Sequence, residues 1–207
     1  MHYSISNHND DFPYLVVQPR RKSLKHILLK VEQGMALLKF GKVEYVIERG
    51  QTVWIPFDSL CALTFFPRTQ VQRVEVSSRV SALLPQKGGY VQLNELTTAI
   101  LNRLLDSQQS HKSQQKLLVV LLDDLVTLDP KLMESKLTAY LKQWSPSISD
   151  NKLLAEQHLA LKLREATKRM QSGVKRSKVI ADLFENNHFV FTQLEQSILG
   201  YTSAESS

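Results

Sequence analysis

The chain has 207 residues and a formal net charge of +6 at neutral pH, room for one large domain or two small ones, each with its own core. Its single cysteine, Cys61, excludes a disulfide framework and a cysteine-based zinc site. The polar start MHYSISNHNDDFPY is unlike a signal peptide, and the longest apolar run, LLVVLL at 117–122, is too short to cross a bilayer, so a cytoplasmic protein without a membrane partner is expected.

Up to about residue 80 the pattern is that of β-structure. HILLKV (26–31), ALLKF (36–40), VEYVI (43–47), TVWIP (52–56), LCALTFF (60–66) and VQRVEV (71–76) are rich in β-branched and aromatic residues. Gly34, Gly41-Lys42, Arg49-Gly50, Asp58-Ser59 and Pro67-Arg68 separate them, and such short, evenly spaced strands predict a sandwich or barrel. Pro85 and Gly88-Gly89 mark a boundary.

Beyond residue 90 the period becomes helical. Leu93, Leu96, Ile100, Leu101, Leu104 and Leu105 line one face of a first helix. SQQSHKSQQ (107–115) reads as a polar connection, followed by a more apolar helix over 117–128. Asp129-Pro130 then predicts a third helix with Asp as N-cap and Pro at its first position, carrying Met133, Leu137, Tyr140, Leu141 and Trp144. A fourth helix over 151–171 repeats Leu159, Leu163, Ala166 and Met170, and Ser172-Gly173 supplies its C-cap. A short helix over 177–184, a polar corner at Glu185-Asn186-Asn187-His188 and a last helix over 189–199 complete a helix-turn-helix outline.

Charge is unevenly placed. Residues 151–180 carry Lys152, Lys162, Arg164, Lys168, Arg169, Lys175, Arg176 and Lys178 against Glu156 and Glu165, whereas residues 181–207 have no Lys or Arg. Such a segment is either an electrostatic footprint for nucleic acid or a solvated helix face.

Enzymatic signatures are missing. There is no G-x-S-x-G, no glycine-rich phosphate loop and no H-E-x-x-H. Asp123 and Asp124 are adjacent on a helix and point about 100° apart, which makes them a solvated face and not an acid–base pair. Of the six histidines (His2, His8, His26, His111, His158, His188) only His26 lies in the predicted barrel, and one histidine cannot build a catalytic metal site. No cofactor is expected. The barrel therefore holds either an organic effector, with Phe40, Tyr45, Trp54 and Phe65 lining its pocket, or only its own side chains.

In this order of barrel and helices the sequence resembles the AraC/XylS family of transcription regulators. FGKVEYVIERGQTVWIP (40–56) is similar to the family's cupin-like sensor domain. LKLREATKRMQSGVKRSKVIADLF (161–184) is similar to its linker helix, with Lys162-Leu163, Ala166 and Met170 on the family pattern, followed by Val179-Ile180-Ala181. Gly200-Tyr201-Thr202 closes the unit, with Ser203 where the family has proline.

The resemblance implies an α+β fold in three parts: a cupin-like sensor and dimerisation barrel (1–85), linking helices (86–148) and a partial helix-turn-helix region (149–207). The family's first helix-turn-helix unit is missing or truncated, since 150–158 is too short for it. The family's turn residues are replaced by Phe184-Glu185, and Leu194-Glu195-Gln196 stands where a late Phe-Lys/Arg is usual.

The implied function is an effector-sensing, homodimeric regulator that contacts duplex DNA. Phosphate contacts fall to Lys168, Arg169, Lys175, Arg176 and Lys178, and base or phosphate hydrogen bonds to Asn186, Asn187, Thr192 and Gln193. The last helix itself offers one anion, Glu195, and no cation. Dimerisation is expected through 92–128, on a stripe of Leu96, Ile100 and Leu104. The alternative is a binding module that has lost DNA reading and works by association with other proteins.

Overall fold

The computed structural model describes residues 4–106, 110–147 and 153–202. His2, Ser203, the expected helix start at Asn151 and the boundary at 148/149 lie outside them.

The expected α+β architecture is present. Ten strands, β1 (Ile5–Phe12), β2 (Val16–Val17), β3 (Arg21–Lys22), β4 (Lys25–Gln33), β5 (Met35–Phe40), β6 (Val43–Glu48), β7 (Thr52–Ile55), β8 (Leu60–Phe65), β9 (Thr69–Ser77) and β10 (Gly89–Val91), precede the helices. They form two antiparallel sheets, one in the order β1-β9-β4-β7-β10 and the other β2-β8-β5-β6 with β3 also on β8. All six strands read from the sequence are found. β1 is an addition: its polar ISNHNDDF pairs along its whole length with β9, from Ile5↔Val76 to Phe12↔Thr69. The segment expected as a boundary holds β10, which pairs with β7. Gly41, at φ +64°, opens the two-residue turn between β5 and β6.

Strand alternation divides the side chains among three cores. Between the sheets lie Leu29, Val31, Leu38, Tyr45, Ile47, Val53, Ile55, Leu63 and Phe65. The outer face of the first sheet presents Leu28, Trp54, Val74 and Val76 to α1 (Glu95–Leu104) and α2 (His111–Leu125). The outer face of the second presents Met35, Leu37 and Val46 to α4 (Ala155–Gln171), α5 (Arg176–Phe184), α6 (His188–Leu194) and a π-helical turn at Glu195–Leu199. The helical end therefore shares a core with the barrel, and Leu15 N–H donates to Ile198 C=O at 2.7 Å.

Three helix predictions change. The stretch 111–115 is not a connection but the first turn of α2, capped by the Ser110 side chain on Ser113 N–H. Asp129-Pro130 starts no helix: Lys131 bridges Tyr90 in extended backbone, and α3 (Lys136–Gln143) begins after its own cap, Ser135. Asp124 is not merely solvated. It accepts Asn94 Nδ2 at 2.9 Å and the Thr97 hydroxyl, tying α1 to α2. The C-cap at Ser172-Gly173 is as expected, with Ser172 N–H on Lys168 C=O and Gly173 at φ +88°.

α3 packs Leu137 and Leu141 on the second sheet's outer core and is hydrogen-bonded to the barrel at Val46. Val46 N–H donates to Thr138 Oγ1 at 3.1 Å, and Val46 C=O accepts the Tyr90 hydroxyl at 2.7 Å. Further out, the Arg164 guanidinium on α4 forks onto both oxygens of Glu44.

Candidate functional site

Two places merit description, a cavity at one end of the barrel and the α5–α6 corner. The cavity has a volume of about 400 Å³ and opens where β3 and the start of β4 meet β8. It is lined by Phe12, Ile27, Ile55, Cys61, Leu63 and Phe65 together with the polar Gln18 and Ser23, and Phe12 is stacked on Phe65 at 4.0 Å. Its mouth carries Asp10, Arg21, Lys22, Lys25, Arg73 and Glu75.

Most of these charges are engaged. Arg73 Nε reaches Asp10 at 3.0 Å and its Nη1 reaches Glu75 at 2.8 Å, Lys25 Nζ lies 2.6 Å from Glu75, and Lys22 Nζ lies 3.0 Å from Asp58. Burial alone would raise the Glu75 carboxyl, but the Lys25 hydrogen bond and the charges of Arg73 and Lys25 hold it below its ordinary value. Burial pushes the Cys61 thiol up, against the nearby positive charges of Arg21 and Arg20.

Of the four aromatic residues expected to line one pocket, only Phe65 borders this cavity. Tyr45 lies between the sheets, edge-on to Tyr90 at 6.4 Å. Phe40 is half-buried, its ring against Gly88. Trp54 is on the opposite side of β7 from Val53 and Ile55, buried towards α1, with its indole N–H on Pro85 C=O at 2.9 Å. Strand parity separates Trp54 from the barrel interior. His26, on that same outer face, stacks on Trp54 at 5.5 Å and accepts the Phe57 N–H through Nδ1 at 3.2 Å.

The α5–α6 corner is built as a helix-turn-helix. Glu185 (φ 52°) and Asn186 (φ 61°) take the left-handed turn, and the Asn187 side chain caps α6 on Val190 N–H at 3.0 Å. Phe184 meets Phe191 edge-on at 4.8 Å inside it. Arg176 is not a surface cation. Its side chain is 13% exposed, donates to Glu195 and Thr192, and lies 4.6 Å from the Phe191 ring. Glu195 is 0% exposed, so the one anion of the last helix faces inward and not towards a ligand surface.

Arg169 is shared by Glu165 at 2.9 Å and Asp182 at 3.8 Å, and Lys168 lies 4.0 Å from Glu165. Lys175, Lys178, Asn186, Asn187 and Gln193 are exposed, and Thr192 is half-buried. Phe189, 70% exposed, and Val190 also stand outward on α6. The pairing of Arg176 with Glu195, 19 positions apart, had no trace in local sequence periodicity.

No family model matches the chain, and no curated protein does. Among solved structures, an apo ToxT variant from Vibrio cholerae strain SCE256, an AraC-family regulator, aligns over 97% of this chain and 96% of its own at 8% identity and TM-score 0.45. A second ToxT structure from Vibrio cholerae aligns over 98% and 97% at 10% identity and TM-score 0.40. A cupin superfamily protein from Desulfitobacterium hafniense covers 38% of this chain and 72% of its own, at 12% identity and TM-score 0.35. Likeness at these values carries no argument about function; the fold rests on the strands and helices described above. Among the described residues no helix is long and apolar enough to cross a membrane, and no group of three His, Cys, Asp or Glu is placed to hold a metal ion.

Proposed function

We propose that the chain is a ligand-responsive transcription regulator of the AraC/XylS type and not an enzyme. In this reading the barrel (1–85) senses a small effector, 86–148 links and dimerises, and 149–207 contacts duplex DNA through one helix-turn-helix. The observation that carries the reading is the α5–α6 corner, capped and packed as a unit, on a core it shares with the barrel's second sheet. A change in the barrel is thereby transmitted through packed side chains.

DNA contact in this reading falls on Lys175 and Lys178, with Asn186, Asn187 and Gln193 for hydrogen bonds. Arg176, Arg169 and Thr192 keep internal partners. Anisotropy of a labelled duplex against salt tests it. Changing Lys175 and Lys178 to Ala should lower the slope of log affinity on log salt by about two, one for each phosphate no longer neutralised. A slope unchanged by that double substitution overturns the assignment.

Self-association is moved to α2. Ile100 and Leu104 belong to the chain's own core; Leu96 of the same stripe is exposed, as are Val119, Val120 and Val126. Lys116 and Asp123 each stand three positions outside the Val119–Val120 pair. Two α2 helices lying antiparallel about the midpoint of Val119 and Val120 bring each Lys116 opposite an Asp123 of the other copy. A second reading, protein association without DNA reading, is favoured by the exposure of Phe189 and Val190 on α6. Absence of any duplex binding by a dimeric protein at low salt would select it.

A further inference from the structure

We infer that the β5–β6 hairpin carries a second contact with duplex DNA, in which Arg20, Lys39 and Lys42 of the barrel bind phosphates beside Lys175 and Lys178. This rests on the DNA reading above and extends its footprint from the helices onto the barrel.

The course of α4 brings the two groups to one end of the molecule. Gln157, near its start, reaches Met35 Sδ at 3.5 Å, and Arg164 forks onto Glu44. In the hairpin register Met35 opens β5, while Glu44 stands opposite Lys39, in the pair before the last. The helix rises about 10 Å from Gln157 to Arg164, and the strand about 13 Å from Met35 to Lys39, so α4 follows β5 towards the Gly41-Lys42 turn. Its last turns, and the start of α5 after them, therefore stand at the hairpin end of the barrel.

The carboxylates here are already taken. Glu44 is held by Arg164 and Glu165 by Arg169. Arg20, Lys39, Lys42, Lys175 and Lys178 form no ion pair among the described residues, and all but the half-buried Lys39 are exposed. Lys39 shares the helix-facing side of β5 with Met35 and Leu37, the side on which Arg164 meets Glu44. Arg20 donates to Gly41 C=O at 3.1 Å, which holds its guanidinium at the turn. No side chain caps α5, so its first amides add the positive end of a helix dipole. So extended a positive field suits a polyanion, and the α5–α6 corner on the same helices makes duplex DNA the fitting one.

Fluorescence anisotropy of a labelled duplex of roughly 30 base pairs, followed against salt with the full chain, tests the inference. Arg20→Ala with Lys39→Ala and Lys42→Ala should lower the slope of log affinity on log salt by about three. Lys42→Ala alone, on an exposed turn, should lower it by about one, and Lys42→Arg should keep the parent slope. Phosphates carry no base identity, so the loss should be the same on unrelated duplexes. Lys42→Cys carrying an aryl azide should cross-link to the duplex on illumination, the buried Cys61 being shielded from the label.

No cross-link from position 42, or a slope that the triple substitution leaves unchanged while Lys175→Ala with Lys178→Ala lowers it, overturns the barrel contact and leaves the helix-turn-helix reading standing. No duplex binding by the parent at roughly 50 mM salt, or a slope that neither set of substitutions changes, overturns both. Retention of that parent on polyglutamate would then assign the face to an acidic protein.

Discussion

Arg176 and Glu195 face each other across the α5–α6 corner, Nη1 to Oε1 at 2.8 Å, with the carboxylate fully enclosed. A pair of this kind costs much to break, because removing one partner strands the other charge in the interior. Arg176→Ala should therefore destabilise the protein by about 3–5 kcal/mol in urea unfolding. If Arg176 acted only on DNA, stability would be unchanged and affinity alone would fall.

Dimerisation through α2 makes a prediction opposite to that for α1. Val119→Asp with Val120→Asp should give a folded monomer by sedimentation. Lys116→Asp alone should weaken the dimer, and adding Asp123→Lys should restore it. Ile100→Asp, by contrast, should unfold the chain, because Ile100 packs with Trp54 and Leu121 in one core. A dimer indifferent to the Val119 and Val120 changes would place the interface elsewhere.

Stability should fall on mild acidification. Burial lowers His26 below its ordinary 6.5, and burial with the Lys162 charge lowers His158. Both rings accept hydrogen bonds in neutral form, His26 from Phe57 N–H and His158 from the Trp144 indole at 3.1 Å. The unfolded chain thus takes up protons first. The contribution is complete above 6.5 and is lost as pH drops from there through the folded values. Urea unfolding from about pH 7.5 to 5.5 should show declining stability, and His26→Gln should flatten the slope by at most about 1.4 kcal/mol per pH unit. An identical slope in that variant would refute the role of His26.

Gly89 is a backbone requirement. It sits at φ +150°, and a β-carbon there would lie 2.5 Å from the Lys131 carbonyl carbon. Gly89→Ala should cost about 1–3 kcal/mol and detach Lys131 from Tyr90, read as faster amide exchange at both. Unchanged exchange at Tyr90 would contradict this.

The sequence revealed the strands that alternate apolar and polar residues, because a half-buried sheet writes its period into the chain. β1 escaped because it borders the first sheet, with most of its side chains wholly or partly open to solvent, and holds its place through its backbone register and the Arg73–Asp10 pair. The helix over 111–115 escaped because its side chains are polar, although Ser110 is a capping residue by type.

The candidate sites were legible to different depths. The corner at 185–188 could be read from its residues, since left-handed Asn and an Asn cap are local features. That Arg176 belongs to Glu195, and that Trp54 and Tyr45 occupy different faces of the barrel, are facts of packing. No local period encodes which face of a strand a second sheet will cover.

The two bonds at Val46 have a consequence for how copies of the chain behave when crowded. β6 is the last strand of its sheet, and there Thr138 and Tyr90 occupy the outward N–H and C=O of Val46. An incoming strand finds these two groups already satisfied by side chains, with α3 lying in its path. This border is thereby protected against edge-to-edge polymerisation, and Thr138→Val with Tyr90→Phe would remove two of its guards.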